Sequence, residues 1–343
     1  MTRFGGRFRM GVAGPAPFPF RPGVVLSAVV LCVFFPFACR HATPPKPEGE
    51  PQKPEEGMRH LYEGRSTIYR GDRIDVRIIP VARIAAWDFL VRKGGGVSRR
   101  ELAAYVYLLR HPVHGNILID LGYPEVTAED PAAYPGFPVH VLMKIRMNKE
   151  DHVARRIGRL GLGPEDIRLI LFTHLHVDHM GDIRAFPSSR MLVHQKEWEA
   201  ALQGGRSRGY RSDYLQGLSP QTFSFPEDTP YGPFERSLDV LGDGSVIAVS
   251  TPGHTVGHVS YFVHTGHRTF FLAGDAAWVE ENYREPTRKG WFAHTFVDAD
   301  RRAQKDTLLR IHTLYREWPD VLMVPGHDGG VLTDESLMPY VLE

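Results

Sequence analysis

Short runs of apolar and β-branched residues, bounded by Gly, Pro and charged residues, recur along most of the chain. Ile74 to Val81, Ala103 to Leu109 and Asn116 to Leu121, the last closed by Gly122, have this form and predict strands. From His152 to Leu160 the period changes: Val153, Ile157 and Leu160 recur at helical spacing, and Gly161 and Gly163 end the helix they predict. Ile167 to Phe172 then reads as a buried strand. The second half repeats this order, with strands predicted at Met191 to Val193, Val246 to Val249, His258 to Val263 and Thr269 to Leu272, a helix from Asp300 to Trp318, and a strand at Val321 to Val324. Strands interspersed with helices predict an α/β fold in which helices cover the sheets. Between Gln203 and Glu235 the chain is rich in Gly, Ser, Pro and Arg, with Tyr210, Tyr214, Phe223 and Phe225 interleaved. That segment reads as a long loop or a helix with irregular flanks, either a lid or a surface excursion.

Composition narrows the class. With 42% hydrophobic and 24% charged residues, the 343-residue chain resembles an ordinary globular protein. A net charge of +1 gives it no excess of cations to attract nucleic acid. Two Cys exclude a disulfide framework, whereas 17 His supply many potential metal ligands.

The amino end differs from the rest. Arg3, Arg7, Arg9 and Arg21 precede the uncharged run Val24 to Ala38, which ends at Cys39. Such a run falls short of the roughly 20 residues of a membrane-spanning helix and contains Pro36, so residues 1–39 read as an export signal. Cys39 is a candidate for lipidation, as in a bacterial lipoprotein, and residues 40–57 form a Pro/Glu-rich tether. Removal of residues 1–38 would take four arginines and move the net charge to −3. These features predict an exported protein, periplasmic or on the outer membrane, with plain secretion as the alternative. Residues 58–343 are expected to form a single domain.

The chemistry concentrates after strand ends. Thr173-His174-Leu175-His176-Val177-Asp178-His179 follows the strand predicted at Ile167 to Phe172, and its spacing lets His174 and His176 converge on one cation while Asp178 and His179 point to a second position. A chance occurrence of this spacing is on the order of a few in a thousand. Three more candidates follow apolar strands and are each preceded by Gly: His254, Asp275 and His327. Borderline cations such as zinc accept this mixture of imidazole and carboxylate, and catalytic sites keep a position for water.

The pattern resembles the metallo-β-lactamase superfamily. Within it, Ala104 to Leu109, Ile117 to Glu125, Thr251-Pro252-Gly253-His254-Thr255-Val256-Gly257-His258 and Gly326-His327-Asp328 look most like the N-acyl-homoserine lactonases. The resemblance implies a four-layer αβ/βα sandwich of two mixed β-sheets flanked by helices. It implies two Zn2+ or other divalent transition metals, with His174, His176 and His254 on one, Asp178, His179 and His327 on the other, and Asp275 bridging. It further implies hydrolysis of a small-molecule lactone or ester by a metal-bridging hydroxide, with Asp178 or Asp275 returning a proton to the leaving oxygen. A thioester, β-lactam or phosphodiester is the alternative substrate. A surface-tethered metal-binding protein is the non-catalytic alternative, although a purely structural zinc site needs no bridging carboxylate.

One position departs from the lactonase pattern. Trp278 stands three residues after Asp275, where those enzymes carry Tyr, and its donor-only indole in the substrate pocket predicts altered homoserine-lactone activity that Trp278→Tyr would raise. Asp120 reads either as a partner of a ligand imidazole or as a turn residue. His258 reads as a packing or supporting residue, and Tyr283 as a surface or core aromatic. His194, His264, His267, His294 and His312 read as surface or core residues without assigned partners. Trp87 and Phe89, before Gly94-Gly95-Gly96, read as core or as a pocket cap.

Overall fold

A computed structural model of the chain describes residues 74–131, 139–205 and 208–342. The predicted export signal, Cys39, the tether and the first residues of the predicted domain lie outside the described residues. The described residues fall within one compact unit, Pro54–Glu343.

Twelve strands form two sheets. They are β1 (Asp75–Trp87), β2 (Arg99–His111), β3 (Gly115–Ile119), β4 (Met143–Arg146), β5 (Ile167–Leu171), β6 (Arg190–His194), β7 (Gln221–Phe223), β8 (Ser237–Asp239), β9 (Val246–Ser250), β10 (Val259–His264), β11 (Thr269–Gly274) and β12 (Val321–Pro325). The first sheet has seven strands in the order β4-β1-β2-β3-β5-β6-β7, and the second has five in the order β12-β11-β10-β9-β8. Both are mixed: β3, β5, β6 and β7 are parallel, as are β11 and β12, and the other pairs are antiparallel.

Alternation along the strands sorts side chains between layers. In β9 to β11, Val246, Ala248, Tyr261, Val263, Phe270 and Leu272 pack between the sheets with Ile78, Tyr105, Tyr107, Ile117, Ile119 and Leu171. Their sequence neighbours Ile247, Val249, Phe262, Phe271 and Ala273 face the other way, against Leu308, Ile311 and Leu314 of the helix Arg301–Glu317. That helix starts where Asp300 accepts hydrogen bonds from the Arg302 and Ala303 amides, 2.9 and 3.0 Å away. The outer face of the first sheet packs on Val153 and Ile157 of the helix Val153–Gly158. The layers are therefore helix, sheet, sheet, helix, the expected αβ/βα sandwich.

The predicted strands and helices are present with shifted ends. β1 runs six residues past Val81, because the register shift between Pro80 and Ala82 lets pairing with β2 resume beyond the proline. Three strands escaped the pattern: β4 and β7 at the edges of the first sheet and β8 at an edge of the second. Each has four residues or fewer, too short for alternation to register. The segment from Gln203 to Glu235 contains a short helix, Ser212–Leu215, as well as β7.

Candidate metal centre

The topology decides where the histidines meet. β9 and β11 both run antiparallel to β10 and therefore parallel to each other, while β12 is parallel to β11, so His254, Asp275 and His327 leave the second sheet at the same edge. β5 brings His174 to His179 to the facing edge of the first sheet, next to Asp120 at the end of parallel β3. Tyr261 Oη donates to Phe172 O at 2.9 Å and the Val259 amide to Thr173 O at 2.9 Å, which ties the sheets together beside the site. The turn before His254 needs a glycine: Gly253 has φ +138°, and a Cβ there would lie 2.3 Å from the Gln304 backbone. Gly326 is required for close approach, since its Cβ would meet Asp275 Oδ1 at 2.7 Å.

The seven candidate ligands converge in three overlapping groups: His174, His176 and His254; His174, His179 and Asp275; Asp178, His179 and His327. Asp275 stands at the middle. Its Oδ2 lies 3.1 Å from His254 Nε2 and 3.9 Å from His174 Nε2, whereas its Oδ1 lies 3.0 Å from His327 Nε2 and 3.3 Å from His179 Nε2. His176 Nδ1 is 3.0 Å from His254 Nε2 on the first side. Asp178 Oδ2 is 3.4 Å from His327 Nε2 on the second.

Outer hydrogen bonds fix which nitrogen points inward. Thr173 Oγ1 donates to Asp120 Oδ2 at 2.7 Å and so accepts from His174 Nδ1 at 3.1 Å. His179 Nδ1 donates to Asp120 Oδ2 at 2.8 Å, and His327 Nδ1 to Ala103 O at 2.9 Å. His254 Nδ1 faces Asp298 Oδ1 at 3.2 Å. Four rings thus turn Nε2 toward the centre, and His176 turns Nδ1. This is how imidazole ligands are held when the outer nitrogen carries the proton. Asp120 is accordingly a partner of a ligand-type imidazole rather than an ordinary turn residue. It adopts φ +60°, a left-handed conformation unusual for a non-glycine, maintained by the bonds its carboxylate accepts from Thr173 and His179.

The electrostatics differ between the sides. Burial, followed by the neighbouring His254, pushes His176 down to about 3, and His174 is likewise held well below the usual histidine range. Burial opposes the charge on His327 too, yet Asp275 and Asp178 raise it to about 10. His179 is raised well above its ordinary value against the same burial, by Asp275, Asp120 and Asp178. Asp178 is pulled down to about 2, its burial outweighed by His179 and His327. His174 Nε2, His179 Nε2 and Asp275 Oδ1 are buried without a hydrogen-bond partner among the described residues. Buried ring nitrogens aimed at a common centre, beside anionic carboxylates, fit a pair of divalent cations of the borderline kind.

Several neighbours were not legible in the sequence. Glu197, on the helix Gln195–Gln203, is buried and accepts from the Leu175 amide at 2.9 Å, Tyr210 Oη at 3.1 Å and the Gly257 amide at 3.3 Å, joining the two histidine loops. Lys289 and Asp298 stand behind His254. His294, read as a residue without an assigned partner, faces Asp298 Oδ2 at 3.1 Å, because the turn of helix Trp291–Phe296 brings residues four apart together. That spacing was the one available signal. The indole of Trp278 is buried, and its N–H donates to Asp275 Oδ2 at 2.7 Å. His258 packs 5.1 Å from the His174 ring, in the supporting position expected. Tyr283 is buried in the outer core of the second sheet. Trp87 lies under the Arg99 guanidinium, 3.8 Å from the ring centroid, and stacks on half-exposed Phe89. From the Gln203–Glu235 segment, Tyr210 packs 4.8 Å from the His176 ring and the Gly209 carbonyl accepts from the Val177 amide at 3.1 Å, so that part forms a wall of the site.

His111, His114 and Asp243 also cluster, away from these residues. There the Val113 and His114 amides donate to His111 Nδ1 at 3.1 Å each, leaving Nε2 to carry the proton it directs at Asp243 Oδ2, 3.0 Å away. That group is a hydrogen-bonded clasp rather than a ligand set.

A layered sandwich with histidines and aspartates at its strand ends is the plan of the metallo-β-lactamase superfamily, whose family model matches residues 99–331; the chain belongs to that superfamily. Among its relatives, the N-acyl homoserine lactonase AttM of Agrobacterium fabrum is 33% identical over 246 residues, 69% of this chain and 86% of the relative. The N-acyl homoserine lactonase AiiA of Bacillus thuringiensis subsp. kurstaki is 30% identical over 186 residues, 54% of this chain and 68% of the relative. A solved N-acyl homoserine lactone hydrolase with the product N-hexanoyl-L-homoserine at its catalytic metal centre shares the fold, with a TM-score of 0.63, 24% identity, and coverage of 78% of this chain and 99% of that one.

Proposed function

We propose that this protein is a metal-dependent hydrolase that opens N-acyl homoserine lactones or closely related ester rings, using two divalent cations, Zn2+ by preference. One observation carries the reading: the two oxygens of Asp275 face separate groups of imidazoles, as a bridging carboxylate would. The lactonase relatives support the substrate class. In this reading His174, His176 and His254 would hold one cation, Asp178, His179 and His327 the other, and Asp275 would serve both. Such a pair supplies a water with its pKa lowered toward about 7 and polarises an ester carbonyl.

The chain's own residues supply position and protons. Trp278 N–H restrains Asp275 in the orientation that serves both sides. The Asp178 side chain is 17% exposed, against 6% or less for the other six residues, so it is the member of the set most open to a substrate. We assign it the relay of a proton, taken up from the attacking water and passed to the ring oxygen as its bond to the carbonyl carbon breaks, with Asp275 as the alternative carrier. The Trp278 indole, close to His254 and His327, would confine the ring of the substrate. The amino-terminal segment is proposed to export the protein and to anchor it through a lipidated Cys39.

Two experiments test this reading. Purified protein supplied with zinc should hydrolyse N-acyl homoserine lactones and lose that activity to a chelator. Faster hydrolysis of a thioester, β-lactam or phosphodiester, with lactones untouched, would replace the substrate class. Cys39→Ser should move the protein from the membrane to the soluble fraction, and a variant still in the membrane fraction would point to an uncleaved anchor.

A further inference from the structure

Lys289 is completely buried. A lysine in that setting requires a compensating anion, and it has one: Nζ donates to Asp298 Oδ1 at 2.9 Å. The same Nζ lies 2.9 Å from His254 Nδ1 and 4.7 Å from the centroid of the Trp278 ring, within cation–π range. An ammonium is a donor only and cannot bond an Nδ1 that carries the ring proton, so Lys289 acts on His254 through Asp298, and on Asp275 through the Trp278 ring and its N–H.

The location of Lys289 is fixed by its neighbours. The Gly290 amide donates to Leu90 O at 3.1 Å, and a Cβ on Gly290 would lie 1.7 Å from Phe89 O, so the backbone after Lys289 rests against the short helix Asp88–Val91. Asp298 is held from two sides, by Lys289 on Oδ1 and His294 on Oδ2. His254 offers Nε2 to a cation only if its proton resides on Nδ1, and Asp298 Oδ1 is the acceptor placed to keep it there. Lys289 Nζ donates to that same Oδ1, so the acceptor of the His254 proton is held in place by a buried cation.

We infer that Lys289 is a positioning residue for the half of the centre formed by His174, His176 and His254: through Asp298 it sets the ring of His254, and through Trp278 it steadies Asp275. The other half is backed by the sheet instead, where Asp120 and the Ala103 carbonyl hold His179 and His327. The inference rests on the two-cation reading above and deepens it by assigning separate support to one cation.

The test is zinc binding to the full chain, measured by competition with a chromophoric chelator and independent of activity. Wild type should bind two equivalents. The double variant Lys289→Met/Asp298→Asn removes both charges together and leaves no buried ion unpaired, a replacement such pairs tolerate. It should keep one equivalent at wild-type affinity and weaken the other by roughly 10- to 100-fold, the range for loss of a partner of a metal ligand. Should the double variant fail to fold, Lys289→Gln/Asp298→Asn, equally free of an unpaired charge, decides in the same terms. Two equivalents at wild-type affinity in the folded variant would overturn the inference while sparing the two-cation reading. A wild type that binds no zinc would overturn both.

Discussion

On the Oδ1 side of Asp275, His179 leans on Asp120 at the end of β3 and His327 on the Ala103 carbonyl inside β2. On the Oδ2 side, His254 leans on Asp298, which Lys289 pairs, and both lie in the segment between β11 and the helix Arg301–Glu317. The first side is supported by the sheets themselves. The second depends on a buried ion pair, whose charges must be matched because each alone would be costly to desolvate. Sheet-borne support is hard to disturb without unfolding the protein; support by a charge pair can be lost by a single substitution. The contrast predicts that the halves will fail separately.

The largest effect is expected where the halves join. Asp275→Ala should reduce lactone hydrolysis by on the order of a thousandfold or more, about 4 kcal/mol in the barrier, with far-ultraviolet circular dichroism unchanged. Turnover close to wild type in that variant would mean that the two sides do not act together. Next come the individual ligands. His176→Ala and His327→Ala should each lower the metal content, read by elemental analysis, and should do so on opposite sides. If either variant retains full occupancy, the assignment of that ring fails.

Supporting residues should have intermediate effects. Asp120→Asn removes the carboxylate that accepts from His179 directly and reaches His174 through Thr173, so it should weaken the zinc on the His179 side by roughly 10- to 100-fold in chelator competition and the other by less. Equal weakening of both would show that the halves are not independent. Trp278→Phe deletes the N–H donor to Asp275 and should lower kcat by roughly tenfold, as for one hydrogen bond of about 1.4 kcal/mol felt in the transition state.

The smallest effect lies outside both halves and serves as their control. His264 is held down to about 4, by burial first, with Asp239 opposing. A histidine kept neutral in the fold contributes stability that is complete above its unfolded pKa of about 6.5 and is lost as pH falls from there through about 4. Between pH of about 7 and about 5.5 the loss should be on the order of 1 kcal/mol. Thermal melting of the chelator-treated protein should record it, and His264→Gln should remove that part of the pH dependence. An unchanged profile would show that His264 is not the group responsible.

How much of this was written in the sequence varied with distance along the chain. The strands carrying His174, His254, Asp275 and His327 were legible because each is an apolar run ending in a short turn, and the positions that follow inherit their place from the strand. The supports were legible only where they too ended a strand, as Asp120 does. Lys289 and Asp298 lie 35 and 44 residues from His254, in a segment without periodicity, and meet it only through tertiary packing. The edge strands β4, β7 and β8 were missed for a different reason: their pairing comes from a neighbouring strand and not from their own pattern. Trp278 could be singled out as a departure, but nothing local foretold that its N–H would face Asp275.

The most direct test of the two-sided centre is to return zinc stepwise to the chelator-treated protein while following N-acyl homoserine lactone ring opening. The account predicts little activity until the second equivalent is bound, and a rate that levels off at about two zinc per chain. Full activity at one equivalent, or ring opening that continues with no metal at all, would contradict it.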